Sequence, residues 1–302
     1  MDNLCHTLTG AALGEAGLKW STRFGNPVLM VAANLPDVDA LVFLTGTPSV
    51  AFRRGWTHGV LAQAVLPVLL TVAVLAIDRW RPPRYAGAPR ARAAPLLVLS
   101  YAGVISHVLL DCLNNYGVRL LMPFSNRWFY GDAVFIVDPW LWLALGAGVL
   151  LARRLGRPRA AAAAIAIAVA YVAMMAGLAV SSRAAVLEAW IARHGTPPRA
   201  LMVGPMPVVP FRKTVIAEVG DRYYRGRFDW VTRDLQIGGS SVPKHEDHPA
   251  VRRAREHQAF RAILRWARFP YYTVEHTSAG TRVTLQDARF GRQVGSATVV
   301  VH

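Results

Sequence analysis

Four apolar stretches constrain this chain more than any other feature. Residues 60–77, 95–113, 134–151 and 160–180 each approach the roughly 20 residues that a helix needs to cross the hydrocarbon core of a bilayer. A fifth, 28–44, is broken by Asn34, Pro36, Asp37 and Asp39 and reads as a helix, a bend and a short helix packed against protein. The composition agrees: 53% hydrophobic and 17% charged residues are too apolar for an ordinary soluble domain. Residues 1–182 are therefore expected to form an all-α membrane bundle of about four spans plus the broken N-terminal segment. Residues 183–302 carry charge throughout and are expected to form a small soluble α+β domain. There, 213–219, 221–230, 271–276, 281–288 and 293–301 read as strands, several with period-two alternation, and 249–269 reads as an amphipathic helix. Gly204-Pro205-Met206-Pro207 reads as an extended connector.

The net charge of +16 is carried almost wholly by arginine. Arg79, Arg81, Arg84, Arg90 and Arg92 fall between the first two spans, and Arg153, Arg154, Arg157 and Arg159 between the last two. The intervening loop carries only Arg119 and Arg127. By the positive-inside rule the Arg-rich loops are cytoplasmic, which puts His58, Asp111 and Asp132 together on the other side. The tail falls on that side too. No recognised nucleic-acid motif accompanies the arginines, so no nucleic-acid partner is expected. The first 20 residues lack a positive n-region followed by a long apolar core and do not read as a cleavable signal peptide. Cys5 and Cys112 are the two cysteines; they exclude a disulfide framework and a Cys-rich zinc module, and leave one minority pairing, with each other.

His107 and Asp111 lie four residues apart inside the second apolar stretch, on one helix face. Ionisable groups in hydrocarbon are costly and mark sites of use. An imidazole and a carboxylate on one face make half of a metal site. Asp37 and Asp39, at i and i+2 after a proline, can reach one cation from a bend, although a solvated turn or helix cap explains the pair as well. His58 opens the first span, and His6 lies near the start of an amphipathic segment, 4–20. His6, Asp37, Asp39, His58, His107 and Asp111 together suffice for one to three divalent cations with water positions left open. Arg53 and Arg54 suit an anionic group, or an interfacial anchor; in a hydrolase they would steady the negative charge developing on a phosphoryl or acyl oxygen, Arg54 as a catalytic group and Arg53 as a substrate-binding one. Asn114 follows Asp111 and closes the site towards a substrate; Asp132 is an alternative general base. Asp138-Pro139 reads as a helix start whose carboxylate needs a partner.

His6, Pro36-Asp37-Val38-Asp39, Arg54-Gly55-Trp56-Thr57-His58 and His107-Val108-Leu109-Leu110-Asp111, in that order, resemble the bacterial inner-membrane metal-dependent hydrolases of the YdjM type. So do Met1-Asp2 with Gly10, and Phe135-Ile136-Val137-Asp138-Pro139-Trp140. Gly204–Phe211 and Leu285–Phe290 resemble the tails of longer members. That family is distantly similar to zinc-dependent phospholipase C. The resemblance implies a multi-pass protein of the bacterial inner membrane and a divalent metal, zinc first with Mn or Mg as alternatives. It also implies hydrolysis of a phosphoester or lipid-linked substrate at the membrane lipid surface. The family pattern His-Arg-Gly-x-Thr-His-Ser departs here at Arg53 and Gly59, which weakens one metal position if the missing His is a ligand. The rival expectation is a non-catalytic membrane protein with a structural metal clip and a partner-binding tail. A transporter relay ranks lower, because spans one and four carry almost no polar residues.

Overall fold

Asp2 starts the first helix, α1 (Asn3–Glu15): its carboxylate accepts from the backbone N–H groups of Leu4 and Cys5, two donors that a helix start otherwise leaves unpaired. The other carboxylate oxygen accepts from Trp142 Nε1, and the Asp2 N–H donates to the Ile136 carbonyl, so the start of α1 is tied to the start of a distant helix. The computed structural model describes residues 1–44, 52–81, 89–291 and 295–302. Arg84 and the opening of the expected strand at 293 lie outside them.

Among the described residues, six α-helices are assigned from the N-terminus to His194: α1, α2 (Gly25–Ala32), α3 (Val60–Trp80), α4 (Ala93–Cys112), α5 (Pro139–Leu155) and α6 (Pro158–His194). Between α2 and α3, Leu35–Leu44 is a 3-10 segment. Among the described residues, three helices, α3, α4 and α6, are long and apolar enough to cross a membrane. The count is four if α2 and Leu35–Leu44, bent by 53°, form one broken span. The expected span 134–151 is corrected: α5 begins only at Pro139 and has 17 residues. Its start is fixed by Asp138, whose carboxylate accepts from the N–H groups of Trp140 and Leu141 and from the Tyr171 hydroxyl (2.9 Å). That hydroxyl is the partner the buried carboxylate required.

Two compact units make up the chain: Met1–Ala40 with Arg54–Gly177, and Leu41–Arg53 with Leu178–His302. In the first, Val28 and Leu29 of α2 pack on Leu96 and Leu99 of α4. Gly103 lets these helices touch, since a Cβ there would stand 2.4 Å from the Ala32 Cβ. Gly10 does the same for α1 and α2, with 2.6 Å to the Leu29 carbonyl oxygen.

The second unit holds two antiparallel sheets. The first has the order β1 (Ala200–Pro205), β2 (Arg212–Val219), β3 (Arg222–Asp229), β4 (Asp234–Pro243) and packs on Val186 and Trp190 of α6. The second has the order β5 (Pro270–Thr277), β6 (Gly280–Asp287), β7 (Ala297–Val301) and is covered by two short helices, α7 (Pro249–Ala254) and α8 (Gln258–Leu264). The expected single helix 249–269 is thus two. Two strands went unanticipated. β1 includes part of the expected connector, and β4 contains Gly238-Gly239-Ser240-Ser241, which carries no strand signal.

Candidate metal centre

α4 carries His107 and Asp111 one turn apart on its buried face, both fully buried. The His107 Nδ1 donates to the Ala33 carbonyl at the end of α2 (2.7 Å). That bond leaves the Nε2 with a lone pair. Gly103, one turn earlier on the same face, permits the close approach that makes it possible.

His58, just ahead of α3, is fixed from the other side. The Thr57 hydroxyl donates its one proton to Asp39 Oδ2 (2.9 Å) and lies 3.0 Å from His58 Nδ1. With its proton committed, the hydroxyl accepts from the Nδ1–H, which leaves the His58 Nε2 with its lone pair. Asp39 Oδ2 also accepts from the Arg54 N–H (2.7 Å) and lies 3.5 Å from His58 Nδ1.

The two Nε2 atoms then face each other at 3.1 Å. Asp111 Oδ2 lies 3.3 Å from the His58 Nε2 and 3.5 Å from the His107 Nε2; Asp37 Oδ1 lies 3.9 and 4.0 Å from the same two atoms. Asp37, His58, His107 and Asp111 thus offer four ligand atoms all within 4.8 Å of one another, every residue buried. Two imidazole lone pairs converge with Asp111 Oδ2 and Asp37 Oδ1 in a buried space, an arrangement that a cation among them would complete. The donor set fits a divalent ion.

His6 and Asp39 stand beside this group rather than in it. His6 stacks on His107 with ring centroids 3.8 Å apart, and its Nε2 is 3.4 Å from Asp111 Oδ1. Neither His6 ring nitrogen makes a hydrogen bond among the described residues, although the ring is fully buried. Asp39 reaches the His58 ring through the Thr57 hydroxyl, which lies between its Oδ2 and the His58 Nδ1.

Arg54 is buried and engaged: it donates to Asn114 Oδ1 (3.1 Å) and to the Met1 carbonyl (3.2 Å), and lies 3.2 Å from Asp111 Oδ1. The Met1 ammonium also bonds Asp111 Oδ1, a contact sequence reasoning missed. Asn114 Oδ1 accepts further from the N–H groups of Tyr116 and Gly117, so this oxygen shapes the turn after α4. Asp132 sits in a left-handed turn (φ 50°) and is not brought into the four-residue group. Arg53 stacks over the Phe43 ring (5.3 Å) and belongs to the other compact unit. Cys5 and Cys112 are both free.

A cleft of about 420 Å³ reaches the group from one side. Asp37 lines it together with Asn3 and Asn34, and its other wall is Met30, Val31, Leu35 and Val38.

A model of the YdjM inner membrane protein family matches residues 1–182. The uncharacterized protein YfhP of Bacillus subtilis (strain 168) is 24% identical over 167 residues, 52% of this chain and 48% of that protein. The chain thus spans about half the length of this curated relative. No solved structure matches.

Proposed function

The chain belongs to the YdjM inner membrane protein family, and from that membership and the geometry of the His/Asp group we propose that it is a membrane-bound, metal-dependent hydrolase of phosphoester or lipid-linked substrates. The observation that carries the reading is the 3.1 Å approach of two Nε2 atoms whose Nδ1 atoms are both committed elsewhere, with two carboxylates beside them. Asp37, His58, His107 and Asp111 would hold a divalent cation, zinc first and Mn or Mg as alternatives, with His6 as a further donor. Such an ion, when bound, lowers the pKa of its water towards 7 and so supplies hydroxide. The protein residues do the rest. Asp39 and Thr57 hold the His58 ring in its ligating tautomer, and Ala33 does so for His107. Arg54 holds Asp111 and the start of α1 in register. The cleft along Asp37 gives a substrate access, and its apolar wall of Met30, Val31, Leu35 and Val38 suits an acyl or polyprenyl chain.

The test uses the full-length protein in detergent, loaded in turn with zinc, manganese and magnesium. It is given phospholipids and a soluble aryl phosphodiester. The reading expects turnover that His107→Ala lowers by more than the roughly 10–100-fold that loss of a ligand's outer partner costs. A metal-replete protein inert on the panel, with binding unaltered by His107→Ala, overturns it.

One observation favours a second reading: all four ligand residues are buried, as in a closed structural site. In that case the ion clips α4 to the bend at Asp37, and the tail binds a partner. A bound metal with no exchangeable water position separates this reading from the first.

A further inference from the structure

The helix α6 runs from Pro158 to His194 without a break, and its apolar run ends at Leu178-Ala179-Val180. Ser181 is the first polar residue beyond that run. Trp230, at the β3–β4 turn, donates its indole N–H to the Ser181 hydroxyl (3.0 Å). The Trp230 backbone N–H donates to the Phe211 carbonyl (2.9 Å), so the β1–β2 loop, residues 206–211, lies at the same end of the sheet. The register agrees: Arg212 pairs with Asp229, and Lys213 with both Pro205 and Phe228.

This end is unusually apolar for a surface. Val208 is 55% exposed, Val231 is 67% exposed, and Val209 and Phe211 are exposed beside them. Among the described residues beyond 195, Val219 and Val300 are the other exposed large apolar side chains. Val208 holds a left-handed backbone (φ 67°), a costly conformation for a β-branched residue that a loop keeps only when its surroundings or its use demand it. Three arginines ring the tips. Arg233 stacks over Trp230 (4.5 Å), Arg212 pairs with Asp229 (3.1 Å), and Arg227 lines an opening of about 280 Å³ between the two hairpins. Apolar tips, a tryptophan with its N–H satisfied and flanking arginines are the chemistry of the bilayer interface.

We propose that this end of the first sheet rests in the lipid headgroup layer, with Val208, Phe211 and Val231 reaching the acyl boundary and Arg212, Arg227 and Arg233 at the phosphates. The occupant is the membrane in which α6 is embedded, because the Trp230–Ser181 bond ties the tips to the point where the apolar run stops. The inference is independent of any catalytic activity.

The test places a single environment-sensitive fluorophore on the full-length protein in phospholipid nanodiscs, through Val208→Cys, Val231→Cys or Asp221→Cys. Asp221 is exposed in the β2–β3 turn at the opposite end of the sheet, about 23 Å away for seven residues of strand. The unsubstituted chain, with Cys5 buried, sets the labelling background. Nitroxide-labelled lipid is expected to quench the probes at 208 and 231 several-fold more than the probe at 221. Equal quenching at all three positions, or tips shielded from lipid by another protein, overturns the proposal.

Discussion

His58 and His107 point their Nε2 atoms at each other across 3.1 Å, while Thr57 and Ala33 hold their Nδ1 protons. Two neutral imidazoles so arranged have no proton to share between them. A cation among Asp37, Asp111 and the two rings would complete the arrangement, and the consequences that follow from it are specific.

Thr57→Val removes the hydroxyl that orients His58 while keeping the side-chain volume. Loss of such an outer partner typically costs metal affinity about 10–100-fold. Competition with a chelator measures it. Undiminished affinity means that packing alone holds the ring.

Arg54→Ala leaves Asp111 without its guanidinium and cuts the tie from α1 to Asn114. Breaking a buried ion pair on one side costs about 3–5 kcal/mol. The thermal midpoint in detergent is expected to fall sharply. Arg54→Lys is expected to recover only part of the loss, because an ammonium cannot reach three partners from one planar fork.

Gly103→Ala puts a Cβ 2.4 Å from the Ala32 Cβ and forces α4 away from α2. Overpacking of this kind costs about 1–3 kcal/mol. Because His107 bonds Ala33 through the same interface, metal affinity is expected to fall with stability. Gly177→Ala, with nothing within 4 Å of its Cβ, is the control and is expected to leave both unharmed.

Lys213 on β2 is fully buried and its ammonium makes no hydrogen bond among the described residues; burial pushes its pKa down to about 8. The unfolded chain, with a lysine pKa near 10.5, holds the proton that the folded one has released. Stability of this unit therefore rises with pH between about 8 and 10.5, and the whole cost of burying the charge is present below that window. Lys213→Met is expected to raise hydrogen-exchange protection of β2 at pH 7 and to make little difference above pH 10.5. Equal protection of both chains at pH 7 contradicts this.

The sequence revealed the site better than it revealed the tail, for a physical reason. A histidine or aspartate in an apolar helix is conspicuous because hydrocarbon penalises it, so His58, His107, Asp111 and the Asp37 bend stand out. What stayed hidden was cooperation through backbone atoms. The Ala33 carbonyl and the Met1 ammonium carry no sequence signal, and the Arg54 guanidinium gave no sign that it would bridge three partners. In the tail, β1 and β4 escaped notice because edge strands tolerate what central strands reject: Pro205 ends β1, and Gly238 and Gly239 sit in β4. α5 started later than its apolar run because Asp138 caps it. The break between α7 and α8 follows from packing on the second sheet and has no glycine or proline to announce it.

The central claim is that His58, His107, Asp37 and Asp111 share one cation, and elemental analysis of the full-length protein purified without chelator tests it most directly. The account predicts a bound divalent metal at about one or more per chain, lost in both His58→Ala and His107→Ala while the helical circular dichroism is kept. A wild-type chain without metal even after equilibration with zinc, manganese and magnesium contradicts the account. So does a metal retained undiminished in both variants.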